Sequence, residues 1–292
     1  MRQIPNGIRK KTLWVVTTVA SGALAVAIAA AQPGGRYPAH WWTPVPEDQK
    51  PAWEILPQAA RPGEVILSKR NELGILSNFA ATPFTFHGKS YASVEGFWQM
   101  MLYPEGPGDP RAKAPGITWP HTRQEVARMT GFEAKDAGTL AQENMRKMGI
   151  DWVTFEGKRV TYRSPKKGDH YRLILEAMRA KLAQNPKVRE ILLSTGDLVL
   201  LPDHIQEPDP PAEWLYYRIW MDLRRELQRF VNQSSRGSAR PRQPLTVSLR
   251  GQNLTPRRGE PVVRTPTLAG LFDPAPFDPS SQAGPLAPAG PE

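Results

Sequence analysis

The sequence contains no cysteine, and this absence excludes several kinds of chemistry. Without thiols there can be no disulfide bond, no thiolate nucleophile and no cysteine-ligated zinc or iron–sulfur site. The five histidines are never three or four residues apart, so we predict no local metal site, although scattered histidines can still converge in space. We also predict no other cofactor. Any chemistry therefore depends on carboxylates, amides, aromatic rings and histidines.

Familiar nucleotide-binding and hydrolase motifs are also missing. The sequence has no GxxxxGKS or GxxxxGKT phosphate loop, no GxGxxG after a strand, no GxSxG nucleophile elbow and no HExxH zinc motif. The formal charge of +10 is not accompanied by a recognition helix, a zinc finger or an aromatic ribonucleoprotein motif. Nucleic acid is therefore not an expected partner.

The residues that are present are unevenly distributed. The chain has 292 residues, with 31 prolines and 23 glycines, and its two ends do not resemble its middle. Nine tryptophans and periodic apolar segments between about residues 64 and 230 exclude a collagen-like or wholly disordered chain. We therefore expect one globular domain over residues 63–230.

The first 31 residues have the layout of an export signal. Basic residues between Arg2 and Lys11 precede the uncharged, mostly apolar or small residues 13–31, and small residues allow cleavage after Ala29 or Ala31. The alternative is an uncut membrane anchor, because a helix over residues 13–31 would span about 28 Å. Cleavage predicts a periplasmic or secreted protein, and both alternatives put the domain outside the cytosol.

The segments that flank the domain differ in composition. Residues 32–62 are rich in proline and tryptophan, which is typical of an extended segment that wraps over a domain. Residues 231–292 carry 11 prolines in 62 positions and seven arginines, which predicts a disordered tail. This tail is either a basic tether to an anionic envelope surface or a solvated linker, and a membrane is a partner only if the N-terminal segment stays uncut.

The middle of the chain predicts an α+β fold, predominantly helical with small antiparallel hairpins. Helices are expected at residues 94–103, 123–148 with an interruption at Gly131, 171–185, 188–192 and 214–230. Strands are expected at residues 64–67, 84–86 with 89–91, 152–155 with 158–162, and 198–201. The two hairpins are indicated by the His87-Gly88 and Glu156-Gly157 turns.

One group of short motifs resembles a known family. Leu76-Ser77-Asn78-Phe79 is followed by a hairpin that ends in Gly-Lys and then by Ser93-x-Glu95-x-x-x-Gln99. This order and these distances resemble the NADAR or YbiA-like family. The resemblance continues through Asp151-Trp152 to the last helix and covers about residues 64–230.

The resemblance implies an N-glycosidase, which cleaves the bond between a base or amine nitrogen and a ribose in a small nucleotide-like substrate of the ADP-ribose type. It implies Glu95 and Asp209 as catalytic carboxylates. The residues that it implies for substrate binding are Asn78, Phe79, Trp98, Gln99, Trp152 and Trp214. These types suit the chemistry, because a carboxylate stabilises the positive charge that develops on the ribose and an indole offers a flat face to a base.

The sequence also departs from the family's pattern. Leu102 stands where the family has a lysine, the family's glutamate before the last loop is replaced near Pro202-Asp203, and a Trp-Gly turn becomes Trp214-Leu215. The alternative function is therefore a catalytically degenerate YbiA-like envelope module that binds a nucleotide-like ligand or a protein partner.

Overall fold

A computed structural model of the chain describes residues 35–164 and 166–238, with side chains to residue 233 in the last helix. The predicted export segment over residues 1–31 and the predicted tail beyond residue 238 lie outside the described residues. Within the described ranges, no helix combines the length and the apolar character that crossing a membrane requires.

The described residues form an α+β fold, as predicted from the sequence. The helices are α1 Val94–Met100, α2 Arg123–Ala127, α3 Gly131–Met148, α4 Asp169–Gln184, α5 Pro186–Ser194 and α6 Tyr216–Ser238. The strands are β1 Glu64–Ile66, β2 Phe84–Phe86, β3 Lys89–Tyr91, β4 Trp152–Phe155, β5 Lys158–Thr161 and β6 Val199–Leu201. Helices surround the three strand pairs and share one apolar core with them.

Two of the strand pairs are the predicted hairpins. Strands β2 and β3 pair antiparallel through a turn in which His87 has φ 48° and Gly88 has φ 72°. Strands β4 and β5 pair in the same way through Glu156 at φ 50° and Gly157 at φ 76°. Two consecutive positive φ angles match the right-handed twist of the flanking strands, and glycine adopts such an angle without steric cost.

The third pair is parallel and was not expected. Strands β1 and β6 pair with Val65 opposite Leu200, and Leu67 N donates to Leu201 O over 2.9 Å beyond the end of β1. The carboxyl ends of parallel strands meet at one edge, so the residues that follow β1 and those that follow β6 lie side by side. This edge carries several polar side chains of the candidate site.

Helix α1 is buried along its whole length, and its neighbours approach it closely. Its N-cap is Ser93, whose Oγ accepts from Gly96 N over 2.9 Å and donates to Met129 O over 2.9 Å. A Cβ at Gly96 would lie 2.5 Å from Met129 O, so the contact between α1 and the turn before α3 requires glycine. These contacts hold α1, and with it Glu95 and Gln99, rigidly in the core.

Several boundaries differ from the predicted ones by a few residues, and α1, for example, ends at Met100 rather than at residue 103. Helix α6 begins at Tyr216, after a 3-10 turn at Ala212–Trp214, and it continues past Phe230 to Ser238. Residues 231–238 of the predicted disordered tail are therefore helical. Residues 35–62 contain three 3-10 turns and pack on the domain through Trp41, whose side chain is 1% exposed.

Candidate functional site

Glu95 lies near the start of α1 and is buried. Its backbone N–H donates to Asn78 O over 2.9 Å, which ties the start of the helix to the Leu76–Phe79 motif. Its side chain is 6% exposed, and Gln99 Nε2 donates to Glu95 Oε1 over 2.7 Å from one helical turn away. The spacing of four residues that the sequence shows therefore produces a direct contact.

The environment of Glu95 favours its protonated form. Burial raises the pKa of Glu95, and this effect outweighs the hydrogen bond from Gln99 and the positive charges of Lys135, Lys69 and His204, which act in the opposite direction. The three basic groups come from α3, from the loop after β1 and from the loop after β6. A buried carboxyl whose pKa is raised is suited to act as an acid.

Two amide oxygens beside Glu95 have no hydrogen-bond partner within the part of the chain that the structure describes: Gln99 Oε1 and Asn78 Oδ1. The first lies against Gly138 of α3, where a Cβ would be only 1.8 Å from it. Buried polar atoms are normally paired, so an orphaned acceptor at a site is available to a ligand's donor. We place Asn78 Oδ1 in this role, because Gln99 Oε1 is covered by α3.

A second buried carboxylate, Asp203, follows β6. It forms an ion pair with Lys69 and accepts from Tyr216 Oη over 3.2 Å and from His204 Nδ1 over 3.1 Å. Burial alone raises the pKa of Asp203, but the hydrogen bonds from His204 and Lys69 and their charges outweigh it and lower that pKa. The surroundings of Asp203 therefore favour its ionised form, and its neighbour His204 also contacts Gln206, with 2.7 Å between the two Nε2 atoms.

Three aromatic rings border this cluster, and we call Trp53, Phe79 and Phe132 the aromatic wall. The ring centroids of Phe79 and Phe132 are 5.2 Å apart, and those of Trp53 and Phe132 are 5.9 Å apart. Lys69 Nζ lies 5.1 Å from the Phe79 centroid and 5.7 Å from the Trp53 centroid. The same ammonium therefore contacts the wall, pairs with Asp203 and acts on Glu95.

Trp98 lies in a second aromatic group on α1. Its Nε1 donates to Tyr162 Oη over 3.2 Å, and its ring meets the edge of His170 at 5.0 Å. His170 Nδ1 donates to Glu213 Oε1 over 2.7 Å, and both side chains are 1% exposed. Burial raises the pKa of Tyr162, and the charge of Glu95 contributes in the same direction, so this group lies near the Glu95 carboxyl.

Trp214 is connected to this group through a guanidinium. Arg163 Cζ lies 4.6 Å from the Trp214 centroid and 4.9 Å from the Tyr162 centroid. The half-buried Trp214 ring is thus held by cation–π stacking rather than by the core alone. Of the predicted residues, Asn78, Phe79 and Gln99 adjoin Glu95 through the Asn78 backbone and the Gln99 side chain. Trp98 and Trp214 belong to the neighbouring group that Tyr162 and Arg163 connect.

Two other predicted residues lie elsewhere. Asp209 is exposed at φ 50°, and among the described residues it makes no hydrogen bond or ion pair. Trp152 is half-buried on β4, with Arg159 Cζ at 4.1 Å and Arg111 Cζ at 5.1 Å from its ring. The proline-rich loop keeps Asp209 at the surface, so the second carboxylate of the cluster is Asp203, whose position directly after β6 was the available sequence signal.

The residues described, 35–164 and 166–238, contain no group of three or more His, Asp or Glu that could hold a metal ion. Leu102, at the position where the resemblance implies a lysine, is fully buried just after the end of α1. Its carbonyl oxygen accepts from Nη1 of the buried Arg111 over 3.0 Å.

Comparison with known proteins gives a distant likeness. No family model matches the chain, and no curated protein matches it. A solved structure, the NMR structure of the Escherichia coli protein YbiA, is 19% identical over 57% of this chain and 84% of that chain, with a TM-score of 0.37. The likeness concerns the fold alone.

Proposed function

We propose that this protein is an N-glycosidase that hydrolyses the bond between a base or amine nitrogen and a ribose in a nucleotide-like substrate. The observation that carries the proposal is the environment of Glu95: a buried carboxyl with a raised pKa, bonded by Gln99 and surrounded by Lys69, Lys135 and His204. Perturbed carboxyls of this kind are typical of acid–base sites.

Glu95 is the proton donor of the proposed reaction. Cleavage of the C–N bond transfers the bonding electrons to the leaving nitrogen, and a proton from Glu95 neutralises that nitrogen as positive charge develops on the ribose. The carboxylate that remains then faces the cationic ribose and stabilises it. Burial favours the protonated form of Glu95 before the reaction, and the charges of Lys69 and Lys135 favour the ionised form after the proton has been transferred.

Water completes the hydrolysis. It attacks the anomeric carbon and gives up a proton to the Glu95 carboxylate, which restores the protonated acid for the next turnover. The product is a free base and a ribose with a new hydroxyl, so atoms and charges balance without a metal or a redox cofactor in the scheme. Asn78 Oδ1 accepts a hydrogen bond from the substrate in this arrangement.

The test is release of free base from ADP-ribosyl-guanosine and related N-ribosides by the purified full chain. Replacing Glu95→Gln keeps the side-chain shape and the contact with Gln99 but removes the proton donor, so we expect a rate about 100- to 10,000-fold lower. Glu190→Gln, on an exposed residue of α5, is the matched control and should retain the rate. Equal rates for wild type and Glu95→Gln, or no release by either, would reject the proposal.

A catalytically degenerate binding module is the second candidate. It is favoured by the exposed position of Asp209 and by Leu102, which stands just after α1 where the resemblance implies a lysine. Calorimetry with ADP-ribose separates the two candidates. Binding without turnover supports the module, and turnover that Glu95→Gln abolishes excludes it.

We further propose that the domain is exported to the periplasm or out of the cell through residues 1–31. Sequencing the N terminus of the mature protein tests this, and we expect Ala30 or Gln32 as its first residue. An intact Met1 on protein extracted from membranes would replace secretion with anchoring, and an intact Met1 on cytosolic protein would reject export.

A further inference from the structure

The proline- and tryptophan-rich segment before the domain is fixed to the edge of the candidate site. Glu54 is 6% exposed and accepts from Arg70 Nε and Nη2, each over 2.7 Å. On either side of it, Ile205 N donates to Trp53 O over 3.0 Å and Ile55 N donates to Asp203 O over 2.9 Å. A partly buried ion pair and two backbone hydrogen bonds therefore hold Trp53 beside the Asp203-His204 segment.

The aromatic wall remains open to solvent despite these constraints. Trp53 is 40% exposed and Phe132 is 54% exposed, and Ile205 beside them is 65% exposed. Each of these residues alone would be ordinary, since apolar atoms make up much of any protein surface. Rings that contact one another, are held in place by partly buried ion pairs and still face solvent indicate a binding surface.

The wall is also joined to Glu95 on both of its sides. Phe79 directly follows Asn78, whose carbonyl bonds Glu95 N, and Phe79 O accepts from Gly131 N over 3.0 Å at the start of α3. Phe132 is the next residue of α3, one turn before Lys135, whose charge acts on Glu95. The wall and the carboxyl are therefore parts of one rigid arrangement.

We propose that the aromatic wall binds the planar base of the substrate, with the Trp53 of the N-terminal segment as one of its determinants. That this base belongs to a substrate rests on the proposed N-glycosidase function, whereas the binding of a flat ring to the wall does not depend on it. Bases stack on aromatic side chains whatever their hydrogen-bonding pattern, so the wall selects ligands that carry a flat ring and tolerates several bases. Lys69 sits over two of the rings and keeps them in place.

The test compares two ligands that differ by the base: guanosine 5′-monophosphate and ribose 5-phosphate. Calorimetry uses the full chain carrying Glu95→Gln, so that turnover does not interfere. We expect the nucleotide to bind more tightly by roughly 5- to 150-fold, the factor that stacking of one base supplies. Trp53→Ala and Phe132→Ala should each reduce this ratio, and Trp53→Phe, which keeps a ring, should preserve most of it.

Leu140→Ala is the matched control, since Leu140 is 43% exposed on the same helix as Phe132 and lies outside the wall. It should leave the ratio unchanged. Equal binding of the two ligands, absence of binding by both, or an undiminished ratio in Trp53→Ala and Phe132→Ala would overturn the assignment. Ring-dependent binding by a wild-type chain that releases no base would reject the glycosidase proposal and retain the wall.

Discussion

The contact between Gly138 and Gln99 allows the site to be disturbed without altering any proposed catalytic residue. Gly138 lies in the middle of α3, and a Cβ there would be 1.8 Å from Gln99 Oε1 and 2.3 Å from Cδ. Gly138→Ala therefore forces the Gln99 side chain into another rotamer. In that rotamer the hydrogen bond from Gln99 Nε2 to Glu95 Oε1 is lost.

The expected change in the free energy of unfolding combines two destabilising effects and one stabilising effect. Overpacking a buried position costs about 1–3 kcal/mol. Loss of the Gln99 hydrogen bond costs about 1 kcal/mol, and the better helix propensity of alanine returns about 1 kcal/mol. The two smaller effects cancel, so we expect a net loss of about 1–3 kcal/mol, which lowers the melting temperature by about 2–12 °C for a domain of this size.

The substitution should also slow the proposed reaction. The bond from Gln99 lowers the pKa of Glu95, so its loss raises that pKa further and moves the alkaline limb of the pH–rate profile to higher pH. A displaced carboxyl also loses orientation, which can reduce the rate by about 100-fold. The assays are thermal unfolding and base release as a function of pH, with Thr139→Ala on the exposed face of α3 as the control.

A double-mutant cycle makes this reasoning refutable. Gln99→Ala removes the side chain that Gly138→Ala displaces, so in the double variant the second change should cost no further stability or rate. Additive losses would mean that Gly138→Ala acts through the α3 backbone instead. An unchanged pH–rate profile in Gly138→Ala would show that Gln99 does not control Glu95.

Three further predictions concern stability. Burial raises the pKa of Glu95, so the stability that its protonated form contributes is fully present below about pH 4.5 and is lost as the pH rises. The Glu95→Gln variant has no such loss and should therefore become more stable relative to wild type as the pH increases. A difference in unfolding free energy that does not depend on pH would contradict this. Burial lowers the pKa of Lys181 to about 7, so the cost of burying its charge falls as the pH rises from about 7 towards 10.5. Over that range the unfolding free energy of wild type, measured by denaturant titration, should rise relative to that of Lys181→Met. An equal pH dependence of the two unfolding free energies would refute this. Deleting residues 239–292 should leave the melting temperature unchanged, because that segment lacks an apolar stripe, and a marked fall would show that it packs on the domain.

The features that sequence reasoning identified are those fixed by neighbouring residues. The hairpins β2–β3 and β4–β5 depend on two-residue turns with glycine second, and α1 depends on the Ser93 cap. Glu95 and Gln99 meet because four residues make one helical turn. Each of these relations spans a few residues, so the printed sequence contains all the information that determines it.

The features that were missed depend on contacts between distant parts of the chain. Strands β1 and β6 have three residues each and pair in parallel, and no local turn records that pairing. Asp203 and Lys69 follow these two strands, so their ion pair exists only because the strands pair. Asp209 was favoured from its place before Trp214, but the intervening prolines keep it at the surface.

The same pairing explains how the N-terminal segment becomes part of the site. With β1 beside β6, Arg70 after β1 and His204 after β6 form an edge that Glu54 bridges, by an ion pair to Arg70 and a backbone bridge to His204. Trp53 is then carried to Phe132, although 78 positions separate Trp53 from the start of α3. A short parallel pair thus brings Trp53, Lys69, Asp203 and His204 together from segments that have no sequence proximity. Loss of this pair should therefore separate Lys69 from Asp203 and displace Trp53 from Phe132.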